Sequence, residues 1–262
     1  MSSAAPLLRL SSLTLDRGGR SVVREVSMQV EAGERVALVG PNAAGKSSLL
    51  AGIAGLLAPA AGRVELAGRD VTTLESRAIA RDVALVAALQ ESSPRLTVRE
   101  STELGRYPHT GPFRGLSAED RAFVERALEE TELRALEGRL LSTLSAGERQ
   151  RAIVARALAQ DPRLLLLDEP SAHLDIGHGL DLFARLTSVA GRGVAVVAVV
   201  HDLVSAARFA SRMVVLHEGR VVDDGPPAQV MPGAALGHAF GVRIRAALVA
   251  GEDAPTWRFD RP

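Results

Sequence analysis

The chain has no cysteine. That excludes a disulfide framework and any cysteine-ligated metal, and it fits a reducing compartment. Net charge is absent as well, because 31 basic residues balance 31 acidic ones. No basic surplus exists to draw the protein onto nucleic acid or a membrane surface by charge alone. Long apolar runs are missing too. The longest is "VAVVAVV" at 194–200, far short of the roughly 20 residues that a membrane-spanning helix needs. The opening "MSSAAPLLRL" lacks a charged segment followed by an apolar one, so no secretory signal is expected there. A cytosolic location, or docking on the cytosolic face of something else, is the expectation. Aromatic residues make up only 3%, and lysine is rarer still: 30 of the basic residues are Arg and one is Lys.

What remains is a chain of 262 residues, 47% hydrophobic and 24% charged. It is long enough to bury a core, either as one large domain or as a core with an inserted lobe. Val26, Met28 and Val30 alternate with polar neighbours, the period of a half-buried strand. "RVALV" at 35–39, "DVALVA" at 82–87, "LLLLD" at 164–168, "VAVVAVV" at 194–200 and "MVVLH" at 213–217 read as buried strands, followed by "RVVDDG" at 220–225. Leu49, Leu50, Ile53, Leu56 and Leu57 recur at helical spacing, up to the breakers Pro59 and Gly62. From about 91 to 160 the pattern becomes amphipathic helices. "SAED" at 117–120 is a capping box, and Ser145 with Glu148 has the same spacing. Apolar strands alternating with helices predict a parallel sheet covered on both faces. The tail from 226 is expected to pack as a small appendage.

The single lysine, Lys46, sits in "GPNAAGKSS" at 40–48, between a strand and a helix. This is the G-x-x-x-x-G-K-[ST] phosphate loop. Backbone N–H groups from Gly40, Pro41's neighbours Asn42, Ala43 and Ala44, and Gly45 through Ser48 are expected to wrap phosphates at the helix start. Lys46 would reach the outer phosphates, as a compact charge on a flexible stem can, and Ser47 would offer its hydroxyl to Mg²⁺. Ala43 stands where another glycine is common, which is tolerable if its φ is negative. Asp168 ends a buried strand, where α/β proteins bind ligands, and is placed to serve the metal. Glu169 follows it, placed to polarise an attacking water. His201 ends the 194–200 strand. His217 has no partner motif, and His109, His173, His178 and His238 show no metal-ligand spacing.

"LSAGERQR" at 144–151 needs no ligand as a capping box, yet a capped helix start with small residues is also an anion site. The order of motifs brings these readings together. The glycine loop, Gln90, "LSAGERQR", "LLLLDEP", "SAHLD" at 171–175 and His201 resemble, over about residues 8–225, the ATP-binding subunit of an ABC transporter. "LTVRESTELGRYPH" at 96–109, "DEPSAHLDIGHGLDL" at 168–182 and the tail "GPPAQVM…FGVRIR" resemble the branch importing iron chelates, haem and vitamin B12. Iron–siderophore comes first among those cargoes, cobalamin second and haem third.

The resemblance implies an α/β fold: a RecA-like P-loop NTPase core with an antiparallel β layer and an inserted helical subdomain. The core would span about 7–90 and 161–225, the helical lobe about 91–160 and the appendage about 226–262. ATP and Mg²⁺ are the implied ligands, with Gln90 joining Ser47 and Asp168 at the metal. Glu169 and His201 would be catalytic. Two copies would face head to tail, so that Ser145, Gly147 and Glu148 act on the partner's nucleotide while "SAHLD" forms the dimer contact. Two integral-membrane permease subunits and a periplasmic or extracellular substrate-binding protein complete the implied assembly, peripheral on the cytoplasmic face of the cell membrane and without nucleic acid. Relatives carry an aromatic residue after the first strand for adenine; here Arg17 holds that position, and its guanidinium would stack instead. The rival reading is a soluble ABC ATPase serving ribosomes, DNA or iron–sulfur assembly. A single motif set, without a coiled-coil insert or basic excess, argues against it.

Overall fold

The computed structural model describes residues 5–87, 95–111, 114–172, 174–247 and 256–261. It begins with two long antiparallel strands, β1 (Leu8–Arg17) and β2 (Arg20–Val30). β3 (Arg35–Val39) then runs into the glycine loop and α1 (Lys46–Ile53). Although the apolar spacing continues to Leu57, α1 stops early: Gly55 turns the chain at φ 71 and Leu56 is exposed. β4 (Ala61–Leu66) and β5 (Arg69–Asp70) follow, then α2 (Ser76–Asp82) and β6 (Val83–Val86). The helical lobe holds α3 (Val98–Glu103), α4 (Tyr107–Thr110), α5 (Ala118–Glu130) and α6 (Ala146–Ala159). The chain returns through β7 (Leu164–Asp168), α7 (Ile176–Ala190), β8 (Ala195–Val199), α8 (Leu203–Phe209), β9 (Arg212–His217) and β10 (Arg220–Gly225). It closes with α9 (Pro227–Val230), α10 (Ala234–Phe240) and the hairpin β11 (Arg243–Ala247) and β12 (Thr256–Asp260).

Two sheets organise the core. One is antiparallel, in the order β2-β1-β4-β5. The other has six strands in the order β10-β9-β3-β8-β7-β6, parallel except for β10, which pairs antiparallel with β9. Its five parallel strands are largely buried on both faces, while β10 lies open at the edge, and the alternation of the buried strands splits the interior in two. Val36, Leu38, Leu164, Leu166, Val197 and Val199 face α1 and the antiparallel sheet. Ala37, Val39, Leu165, Leu167, Val196 and Ala198 face the core shared with α5 to α8. Residues 226–240 join that second core, since Val230, Met231 and Leu236 are fully buried in it alongside Leu203 and Phe209.

Three capping boxes set the lobe's helices: Thr97 with Glu100, Ser117 with Asp120, and Ser145 with Glu148. Each satisfies N–H groups that a helix start leaves unpaired. The lobe is also pinned from inside by Arg106, which is almost wholly buried. Its Nε donates to Asp120 Oδ1 at 3.0 Å and its Nη1 to the Ala159 carbonyl at 2.8 Å. Its guanidinium lies 4.3 Å from the centre of the Phe123 ring. A buried guanidinium is tolerable only when paired in this way.

Candidate functional site

Parallel strands share one carboxyl-terminal edge. β3, β8 and β7 are neighbours in that order, so the glycine loop after Val39, His201 after Val199 and Asp168 at the end of β7 meet there.

The loop's shape depends on two close approaches. A Cβ on Gly40 would lie 2.0 Å from the Leu216 carbonyl oxygen, and one on Gly45 2.3 Å from that of Val22. The loop therefore wedges between β9 and the start of β2. Pro41 accepts the Ala44 N–H at 3.3 Å, and Ala44 accepts the Gly219 N–H at 3.1 Å. The condition of a negative φ is not met: Ala43 sits at φ 64, in the left-handed region. The turn needs that conformation, and the alanine adopts it at a steric cost. Gly45 heads α1 at φ 101, and no side chain caps that helix. Its first N–H groups are thus left to a ligand or water.

Lys46 is buried, and its Nζ donates to the carbonyls of Gly40 at 2.7 Å and Pro41 at 2.8 Å. Burial pulls its pKa down, while the charges of Glu169 and Asp168 push it back up. Asp168 is also buried, with Oδ1 lacking any hydrogen-bond partner. Burial pushes its carboxyl above the usual range, against a hydrogen bond from Ser47 that lowers it; Glu169's charge raises it further. Among the described residues no cluster of three or more His, Cys, Asp or Glu could hold a metal by itself. One buried carboxylate beside a serine hydroxyl is what Mg²⁺ uses when substrate phosphates and water complete its oxygen shell. The residues present therefore fit a magnesium nucleotide. The first four residues of α1, with Gly40 to Gly45, would take the phosphates, and Ser47 with Asp168 the cation.

Glu169 also adopts a left-handed φ, 53, and its N–H donates to the Val199 carbonyl at 3.2 Å. That turn brings its Oε1 within 2.6 Å of His201 Nε2. Both side chains remain partly open to solvent. An acid of this kind could hold and deprotonate a water, and the imidazole is positioned to fix its orientation.

Ser145, Gly147 and Glu148 lie elsewhere. The Ser145 N–H donates to Glu148 Oε2 at 2.8 Å, and the Glu148 N–H to Ser145 Oγ at 3.2 Å. Donation from the Ser145 N–H first, and from the Ser145 hydroxyl second, holds the Glu148 carboxyl below its usual range. α6 packs on β6, at the sheet edge. That is three strand spacings from β3, about 14 Å. Arg17 is exposed at the β1–β2 turn, opposite Arg20 and near Val22, which touches Gly45. Gln90 and His173 lie outside the described residues. His109 meets the Gln160 carbonyl, and His217, at the end of the strand that packs on the glycine loop, lies edge-on against His238. Sequence reasoning missed the buried Arg106, and it missed His178, which pairs with Asp175 at a helix start. The one available signal for His178 was its spacing of three from an N-capping aspartate.

The family model described as "ABC transporter" matches residues 23–172. The cobalamin import ATP-binding protein BtuD of Halobacterium salinarum is 41% identical over 238 residues, 90% of this chain. The chain spans only 59% of the length of that relative. The ferric enterobactin transport ATP-binding protein FepC of Escherichia coli (strain K12) is 36% identical over 244 residues, 93% of this chain and 90% of that protein. The solved structure of a metal-chelate type ABC transporter in an inward-facing conformation superposes with a TM-score of 0.84 at 22% identity, covering 97% of each chain.

Proposed function

Because this chain belongs to the ABC transporter family, we propose that it is the ATP-hydrolysing subunit of an importer for an iron chelate, haem or corrinoid. The observation that carries this reading is the edge where three strands deliver the glycine loop, the buried and under-bonded Asp168, and the Glu169–His201 pair. The cargo class is supported by relatives named for cobalamin, ferric enterobactin and hemin.

In this proposal Lys46 leaves the Gly40 and Pro41 carbonyls and pairs with the outer phosphates of ATP. Ser47 and Asp168 would hold Mg²⁺, whose charge would offset that of the phosphates. Glu169 takes the proton of the attacking water at its carboxylate. His201 first keeps that carboxylate oriented through Nε2, then offers the same N–H to the terminal phosphate. The distance from β3 to the edge strand supports a shared site: Ser145, Gly147 and Glu148 would act on the nucleotide of a second copy arranged head to tail.

No helix among the described residues is long and apolar enough to cross a membrane, so translocation falls to permease subunits. Support for their docking comes from the joint between β6 and the lobe. A groove of about 220 Å³ opens there, and Leu104 and Tyr107 beside it are exposed. A substrate-binding protein on the far side of the membrane completes the assembly, with this subunit on the cytoplasmic face. Uptake of labelled ferric siderophore, cobalamin and haem by a strain lacking the chain tests the proposal. Loss of one uptake supports it and identifies the cargo; retention of all three refutes it.

A further inference from the structure

The segment that ends in Asp175 and the helix headed by Ser145 touch each other within one chain, through His178. The His178 backbone N–H donates to Asp175 Oδ1 at 2.8 Å, and its ring Nδ1 lies 2.8 Å from Asp175 Oδ2. The other side of the imidazole lies against Gly147. A Cβ built there would stand 2.9 Å from His178 Cδ2 and 3.1 Å from Cγ, closer than side chains pack. The ring is thus fixed by a carboxylate on one side and by bare backbone on the other. A larger residue at 147 would push the ring aside and strain its bond to Asp175. Gly147 is buried by this contact although it lies in the first turn of its helix. Asp175 and His178 are themselves exposed.

We infer that His178 is a positioning residue. It couples the place of α6's N-terminus to the place of Asp175, so that the loop reaching the partner's nucleotide and the loop contacting the partner move as one unit. The inference rests on the shared-site reading given above and adds a component to it. It also gives Gly147 a reason to be glycine that owes nothing to a phosphate: the imidazole needs the space.

The contact can be taken apart chemically. His178→Phe keeps a ring against Gly147 but cannot bond Asp175. His178→Asn keeps an amide that can bond Asp175 but removes the ring. Gly147→Ala pushes the ring off, and Gly147→Ala with His178→Asn restores space for the new methyl. Steady-state ATP hydrolysis by the full chain, with melting temperatures measured alongside, distinguishes the cases. Each protomer's own phosphate loop is untouched, so the effect falls on kcat. His178→Phe is expected to lower kcat about tenfold, as small misplacements of a reacting constellation do, with KM for ATP and melting temperature nearly unchanged. Gly147→Ala is expected to lower kcat similarly, and the double variant to recover at least half of what Gly147→Ala lost. Wild-type kcat in His178→Phe, no recovery in the double variant, or a matching rise in KM and loss of melting temperature would each overturn the inference. A wild-type protein that hydrolyses no ATP would instead refute the functional reading on which it rests.

Discussion

Replacing Ala43 with glycine tests the phosphate loop by the sign of the result. Ala43 stands at φ 64, where its Cβ crowds the backbone. For an L-residue with a β-carbon this conformation costs about 1–2 kcal/mol. Glycine removes that cost but gains freedom in the unfolded chain, which takes back about 0.4–1 kcal/mol. The difference leaves Ala43→Gly more stable by roughly 0–1.5 kcal/mol, centred near 1. In a domain of this size that shifts the melting temperature upward by about 1–4 °C. Had Ala43 a negative φ, only the glycine entropy would remain. The same substitution would then destabilise the protein by about 0.5–1 kcal/mol. Differential scanning calorimetry of both proteins without nucleotide, in matched buffer, gives the answer. A melting temperature that falls by a degree or more would refute the left-handed turn and the strain assigned to it.

Glu169→Gln should bind ATP normally yet turn over about 10²–10⁴-fold more slowly, as loss of a general base does, and so accumulate as an ATP-bound dimer by light scattering. Wild-type turnover would remove Glu169 from the chemistry. Arg17→Ala should weaken ATP binding a few-fold, matching the roughly 0.5–1 kcal/mol of an exposed stacking contact, while inorganic triphosphate binds both proteins equally in calorimetric titrations. An unchanged ATP affinity would end the stacking role. Asp120 has a carboxyl held down to about 2, first by the Ser117 hydroxyl and then by the Ser117 N–H and Arg106. A folded-state pKa below the unfolded one adds stability that is present above about pH 4 and lost as pH falls through about 2. Asp120→Asn should therefore lower the melting temperature at pH 7, with the gap to wild type narrowing below pH 4. A gap independent of pH would contradict that.

Much of this molecule was legible in the chain because the relevant forces are local. β7 and β8 read as unbroken apolar runs since both of their faces are buried. The capping boxes at Ser117 and Ser145 are fixed by residues three apart and need no tertiary context. The glycine loop, the Asp168–Glu169 pair and His201 were readable as strand ends, and topology alone brings them to one edge. What escaped was set by distant partners. The burial of Arg106 depends on Asp120 and Ala159, which sequence spacing does not link to it. The left-handed turn at Ala43 was hidden because an alanine does not announce a positive φ. Helix α1 ends before its apolar pattern does, because Gly55 reverses the chain. The tail's Val230, Met231 and Leu236 have weak periodicity, and only the three-dimensional core shows what they cover. His178 has no metal-ligand spacing in the sequence, and its contact with Gly147 exists only in the fold.

The claim on which the whole account turns is that one nucleotide is served by two chains, and mixing two inactive subunits tests it. Lys46→Ala disables the phosphate loop, and Ser145→Arg blocks the loop that should act in trans. In a mixed dimer one composite site carries both defects and the other carries neither. The account predicts that the mixture regains Mg²⁺-dependent ATPase activity well above either variant alone, once heterodimers are confirmed with two different affinity tags. Tagged heterodimers whose activity is no more than the average of the two inactive parents would contradict it, and Ser145 would then belong to its own chain's site or to none.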